Sequence, residues 1–418
     1  MKRLQRHQGL RSLAWLVTEK LLQLGVSVIT VGAVARALGV ATFGDFQYAL
    51  AALFVFSSLA LMAGSEVAAP TLAAQSAEPG RRLVLGSLFR ARLAVSGLAF
   101  LAMALWALLQ PSTDLRLPLV LLAASLLVAE PFNTLRLVRE VRQDTRVVAG
   151  IRLVSSLFKL GAVLLGAAGG AGLAYFALVY AIEYLVTAVL LHLRVREHGS
   201  CWTWPWDFGR LRGLLRQGVV VWVAIMAMML AQRLDRLLLA DVLDPSMYGQ
   251  YAAAMSLVDS AWFFGPVAIA ALAPSVVYRA TATVGAIAPR FAGLVFALGA
   301  AAAAGLALLA PWIVPLVFGP AFAATSGMLA GSALILLPGF AALALDPILI
   351  RAQRHRAVMA KWLLGVAVCY IALALNPTDS WIRGPLAVGL GYGASFLVGA
   401  WTVWRLRSTT FVTPESRS

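Results

Sequence analysis

Apolar stretches of close to 20 residues recur along the whole chain, and few folds can absorb them. A helix of that length matches the hydrocarbon thickness of a bilayer. Twelve such stretches stand at about 12–35, 46–68, 88–109, 116–134, 150–168, 172–193, 215–240, 247–270, 291–311, 326–349, 358–375 and 384–404. Only 12% of the 418 residues are charged, about half the share found in a soluble domain, so the polar surface of a water-soluble fold is missing. The expectation is an all-α integral membrane protein with twelve transmembrane helices. Pro131, Pro266, Pro274, Pro338 and Pro347 fall within or at the ends of these stretches, where a freed carbonyl permits a kink.

The connections give the orientation. If the N-terminus is cytoplasmic, 27 of the 34 Lys and Arg residues fall in inner connections, three in outer ones and four within spans. That bias is the positive-inside pattern, so both termini are expected in the cytoplasm. It also accounts for the net charge of +16, which in a soluble chain would suggest nucleic acid; none is expected as a partner here. The N-terminal apolar run Ser12 to Val34 exceeds the roughly 7–15 residues of a cleavable signal and reads as a retained first span. The longest inner connection contains Cys201-Trp202-Thr203-Trp204-Pro205-Trp206, whose tryptophans suit an interfacial belt on a membrane-surface linker.

Two halves follow from a repeat. Residues Ala35 to Phe46 align without gaps on Ala240 to Tyr251, an offset of 205, and Ala69-Pro70 matches Ala273-Pro274. Six spans flank the central linker on each side. The expected organisation is an N-terminal lobe over 1–193, a cytoplasmic linker over 194–214 and a C-terminal lobe over 215–418. Carriers built from such parallel repeats bind cargo between the halves.

Enzyme signatures are absent from the sequence: there is no Gly-rich phosphate loop, His-Glu-x-x-His helix or Gly-x-Ser-x-Gly elbow. Two distant cysteines, Cys201 and Cys369, supply neither a disulfide framework nor a metal quartet, and no cofactor is expected.

Charges inside spans are costly and therefore informative. Gln232-Arg233-Leu234-Asp235-Arg236 interrupts the apolar run Val219 to Leu243, and Arg233 and Arg236 share a helix face with Met226 and Met229. Two readings fit: charges facing a water-filled cavity, or a salt bridge locking two helices. Glu19 and Lys20 head a polar stripe through Gln23, Ser27 and Thr30, either facing inward or snorkelling to the interface. Lys159 meets a cavity or pairs with Glu183 or Glu130. Asp235, Asp259, Glu183, Glu130 and Asp346 are carboxylates in or near spans.

Ala35-Arg36-Ala37-Leu38-Gly39 followed by Phe43-Gly44-Asp45-Phe46 resembles the first hairpin of the Wzx-type polysaccharide flippases. These belong to the MOP superfamily, together with the MATE exporters and the lipid II flippases. Arg233 to Leu239 before Tyr248-Gly249-Gln250-Tyr251, and Pro315 to Phe322, are similar to later signatures of the same family. The chain departs from the pattern in its short length and in Asp244-Pro245 where a Gly-Pro-type turn is usual.

The resemblance implies two six-helix lobes and transbilayer movement, by alternating access, of an undecaprenyl-pyrophosphate-linked oligosaccharide in a bacterial inner membrane. It places the chain in surface polysaccharide, O-antigen or lipopolysaccharide synthesis beside a polymerase and glycosyltransferases. A pyrophosphate crossing an apolar slab needs cations, and Arg233, Arg236, Lys20, Lys159 and Arg36 are the candidates for pyrophosphate or glycan. Asp259, Glu183, Asp235 and Glu19 are the candidates for coupling to H+ or Na+. A MATE-like small-molecule exporter is the alternative. A membrane-embedded glycosyltransferase or polymerase would need a large outer loop or acidic pairs at the outer surface; the outer connections are short, and Asp241 with Asp244 is the only such pair in the sequence.

Overall fold

The computed structural model describes residues 22–62, 71–72, 75, 77–141, 145–194, 201–279, 281–376 and 378–411. Among these, regular structure is helical apart from one bridge between Thr283 and Thr410. Among the described residues ten helical segments are long and apolar enough to cross a membrane; two shorter apolar helices, Leu22–Leu38 and Gly218–Ala231, overlap the first and seventh stretches read from the sequence. The chain divides into two compact units, one of Met1–Gly39 with Ala49–Trp222 and the other of Val40–Tyr48 with Val223–Ser418.

The first unit contains α1 (Leu22–Leu38), most of α2 (Val40–Ala60), α3 (Glu78–Leu108), α4 (Thr113–Val141), α5 (Thr145–Ala168), α6 (Leu173–Arg194) and the start of α7 (Phe208–Ala231). α4 packs on α3 and α6, and α6 also covers α5. An apolar cluster of Leu85, Leu88, Phe89, Leu135 and Ile151 takes in Cys201 and Trp204 from the central linker. The linker is therefore anchored: Asp207 N–H donates to Ser87 Oγ at 2.9 Å, and Trp204 is buried while Trp202 and Trp206 stay exposed. Of the three tryptophans, only Trp204 turns into the protein. Trp204 is buried because apolar side chains of that cluster surround it.

The second unit joins the start of α2 with α8 (Leu234–Leu239), α9 (Pro245–Trp262), α10 (Phe264–Ala273), α11 (Val284–Phe318), α12 (Thr325–Ser332), α13 (Leu336–Ala344), α14 (Asp346–Arg351), α15 (His355–Leu375) and α16 (Arg383–Arg405). The turn before α2 needs Gly39, whose φ of 72° is strained for an L side chain. At the aligned position, Asp244 caps α9 instead, its carboxylate accepting from the N–H groups of Ser246 and Met247.

The two repeat motifs pack on each other. A Cβ added at Gly249 would stand 2.0 Å from the carbonyl oxygen of Val40, and one at Gly44 would stand 3.1 Å from Gly249 Cα. Phe43 beside Gly44 enters an aromatic cluster with Phe46, Phe318 and Phe322. The Phe-Gly and Tyr-Gly pairs are thus a mutual backbone contact that only glycine permits.

Several spans are broken where the sequence carries polar residues or proline. The seventh is interrupted at Gln232-Arg233 between α7 and α8, so Arg233 and Arg236 do not lie on one continuous helix with Met226 and Met229. α10 runs into a π turn at Pro274–Tyr278, and the tenth span breaks at Leu345, just before Asp346-Pro347. After α16 the chain turns back, and the carbonyls of Arg407 and Thr409 accept from the N–H groups of Gly285 and Val284, capping α11.

Candidate functional site

A cavity of about 400 Å³ opens inside the first unit, among α1, α4, α5 and α6. Helical spacing explains its polar lining. Glu130, Asn133 and Arg136 follow at three-residue steps on α4, Arg152, Ser156 and Lys159 lie on one face of α5, and Glu183 and Thr187 lie one turn apart on α6; Gln23 of α1 and Tyr184 complete the set.

Lys159 Nζ meets Glu183 Oε2 at 2.8 Å and lies 4.5 Å from the Tyr180 ring centroid. Ser156 Oγ points to the other Glu183 oxygen at 3.5 Å. Glu130 turns to different partners: Asn133 Nδ2 at 3.3 Å and the buried Arg92 at 4.0 Å. Of the two pairings open to Lys159, the structure shows Glu183. The ion pair stands on the cavity wall, so the cavity reading and the pairing reading both hold for Lys159.

The second unit holds the other group of predicted residues. Asp259 Oδ2 accepts from both Arg233 and Arg236, the latter at 2.5 Å, and Arg236 Nη2 reaches Asp259 Oδ1 at 3.2 Å. The Arg236 guanidinium also donates to the carbonyl of Gln232, at the break between α7 and α8, at 2.5 Å. Asp235, fully buried, accepts from Tyr251 Oη and lies 3.7 Å from Arg236 Nε. Two arginines and two carboxylates make the cluster formally neutral. Ser256 and Ser260, neighbours of Asp259 in sequence, donate to carbonyls of their own helix instead.

The remaining candidates lie elsewhere. Arg36 is exposed near the end of α1 and does not line the cavity. Glu19 and Lys20 lie outside the described residues.

Two features were not singled out from the sequence. Arg136 and Arg152 line the cavity although both, within two residues of the span boundaries at 134 and 150, count with the inner connections; the three-residue and four-residue steps to Asn133 and Ser156 were the signal that could have found them. Lys361, likewise counted with an inner connection although it lies near the start of the stretch 358–375, is fully buried in α15, 2.6 Å from Asp346 Oδ1, while Trp362 Nε1 donates to Asp346 Oδ2 at 3.1 Å. Among the described residues no group of three or more His, Cys, Asp or Glu could hold a metal ion.

The sequence profile of a family described as "Polysaccharide biosynthesis protein" matches residues 10–278. No curated protein matches the chain by sequence. Solved structures share the fold at low identity. A multidrug resistance MATE family transporter of the MOP superfamily, in an inward-facing conformation, gives a TM-score of 0.64 at 15% identity over 94% of this chain and 96% of that one. The lipid II flippase MurJ, inward closed, gives 0.66 at 12% identity over 93% and 86%. A MOP superfamily transporter from Pyrococcus furiosus gives 0.55 at 13% identity over 95% and 96%. These likenesses establish the fold of a multi-pass membrane protein.

Proposed function

The chain belongs to the polysaccharide biosynthesis protein family, and from that premise we propose that it is a carrier that flips a polyprenyl-pyrophosphate-linked oligosaccharide from the cytoplasmic to the outer leaflet of a bacterial inner membrane. In this reading twelve spans form two six-helix lobes with both termini in the cytoplasm, and the lobes work by alternating access. The chain is not an enzyme. A polymerase and glycosyltransferases of the same pathway are its working partners.

The observation that carries the proposal is the polar cavity inside an apolar bundle. Lys159, Arg136 and Arg152 supply donors for a pyrophosphate, with the planar guanidiniums suited to bidentate phosphate contacts. Asn133, Ser156, Thr187 and Tyr184 supply the neutral groups that a sugar requires. Glu183 then has two roles in sequence: partner of Lys159 when the cavity is empty, and acceptor of a coupling H+ or Na+ when the pyrophosphate takes Lys159. Arg233 and Arg236, with Asp259 and Asp235 as their counter-charges, form a second station for the headgroup; Arg36, Lys20 and Glu19 serve the entry and release ends.

The test is flipping of a fluorescent polyprenyl-pyrophosphate oligosaccharide in proteoliposomes. Transport by the wild type that is lost in Lys159→Ala supports the reading, and equal transport of a lipid without pyrophosphate would sink it. A second reading has its own support, since Glu130 and Glu183 in one cavity also suit an organic cation, as in an exporter. Raised resistance to cationic drugs on expression, without any effect on surface polysaccharide, would favour that reading.

A further inference from the structure

The last turns of α16 carry a surface that the transport cavity does not use. Trp401 and Trp404 are 53% and 58% exposed. Each has an arginine laid over its ring: the guanidinium carbon of Arg405 is 3.7 Å from the Trp401 centroid, and that of Arg407 is 4.8 Å from the Trp404 centroid. The first pair follows from helical spacing, four residues apart on one face. The second is fixed by the chain's return, because the Arg407 carbonyl accepts from the Gly285 N–H at 3.0 Å and ties the residue to the start of α11.

α16 is an apolar candidate span that ends at Arg405, and tryptophans near the end of a spanning helix sit at the headgroup level, where a neighbouring guanidinium can reach phosphate. Among the described residues neither arginine is ion-paired with a carboxylate. Stacking holds both side chains in place while leaving guanidinium N–H donors for an anion.

We propose that the end of α16 binds the headgroup of an anionic phospholipid, its phosphate held by Arg405 and Arg407 and its glycerol backbone lying on Trp401 and Trp404. Charge complementarity decides the class. A zwitterionic headgroup would bring an ammonium to two cations, whereas an anionic one, such as phosphatidylglycerol, brings only compensating charge. Bound there, the lipid bridges α16 to the start of α11 through the tail that carries Arg407.

Native mass spectrometry of the full chain, titrated with short-chain phosphatidylglycerol or phosphatidylcholine, tests the site. Phosphatidylglycerol is expected to bind in preference. Arg405→Gln and Arg407→Gln should each weaken it about five-fold, and the double variant should treat both lipids alike. A wild type without preference, or a double variant that keeps it, overturns the proposal. If the double variant does not fold, a photoactivatable phosphatidylglycerol on the wild type replaces it: labelling of the peptide that contains residues 401–408 is expected, and labelling confined to other segments overturns the site.

Discussion

The ammonium of Lys159 and the carboxylate of Glu183 stand 2.8 Å apart on the wall of a cavity, joining α5 to α6. Removing one partner of a pair withdrawn from water leaves the other uncompensated, at a cost of up to about 3–5 kcal/mol. Lys159→Ala and Glu183→Gln are therefore expected to lower both thermal stability and polysaccharide export. The reversed pair, Lys159→Glu with Glu183→Lys, should recover most of the stability and little of the export, because the cation then projects from the other helix. Thermal unfolding in detergent and surface polysaccharide staining read the two effects; full export by the reversed pair would count against a positioned cation.

Arg152 lies seven residues before Lys159 on the same face, and Arg136 lies on the facing helix. Arg152→Gln and Arg136→Gln are expected to cut export at least ten-fold while the protein still inserts and purifies normally. Unchanged export in both would remove the basic end of the cavity from the transport path.

At Gly249 the added methyl of Gly249→Ala would meet the Val40 carbonyl oxygen at 2.0 Å, and backbone cannot step aside as a side chain can. At Gly44 the nearest obstacle is an edge atom of the Tyr248 ring at 2.9 Å. The Gly249 variant is expected to lose at least the upper part of the ~1–3 kcal/mol typical of overpacking, and Gly44→Ala less. The order of their unfolding temperatures checks this.

Arg236 is buried with Asp235 and shares Asp259 with Arg233, so the four charges act as one network. Asp259→Asn leaves two guanidiniums facing a neutral amide, and Arg236→Ala leaves Asp235 without its nearest cation. Either should destabilise more than Arg233→Ala, since Arg233 is the more exposed arginine. If Asp259 also takes a coupling ion, export in a folded Asp259→Asn variant should no longer respond to pH or sodium. A persisting response in both that variant and Glu183→Gln would exclude the two carboxylates as coupling sites.

Burial of Cys201 in the linker pushes its thiol above the ordinary range. The neutral form is favoured, so at pH 8 less thiolate is present than for a free cysteine, and alkylation should accelerate only at higher pH. Peptide-resolved alkylation across pH 7–10 would show it; labelling of Cys201 at pH 7.5 as fast as a free thiol would contradict the anchored linker.

The sequence by itself determined the membrane class, the positions of the apolar helices and the repeat, because bilayer thickness imposes a length on each segment and length is a local property. It also found the charges that needed explanation, Lys159, Glu183, Arg233, Asp235, Arg236 and Asp259. Only the tertiary structure decided who meets whom. Lys159 takes Glu183 while Glu130 goes to Arg92 and Asn133, and Lys361 joins Asp346 across a turn. Pairing depends on the rotation of each helix about its axis and on where it breaks. Those are fixed by packing between segments distant in sequence, such as Gly44 against Gly249, and by the break at Gln232-Arg233 that turns Arg236 back onto a carbonyl.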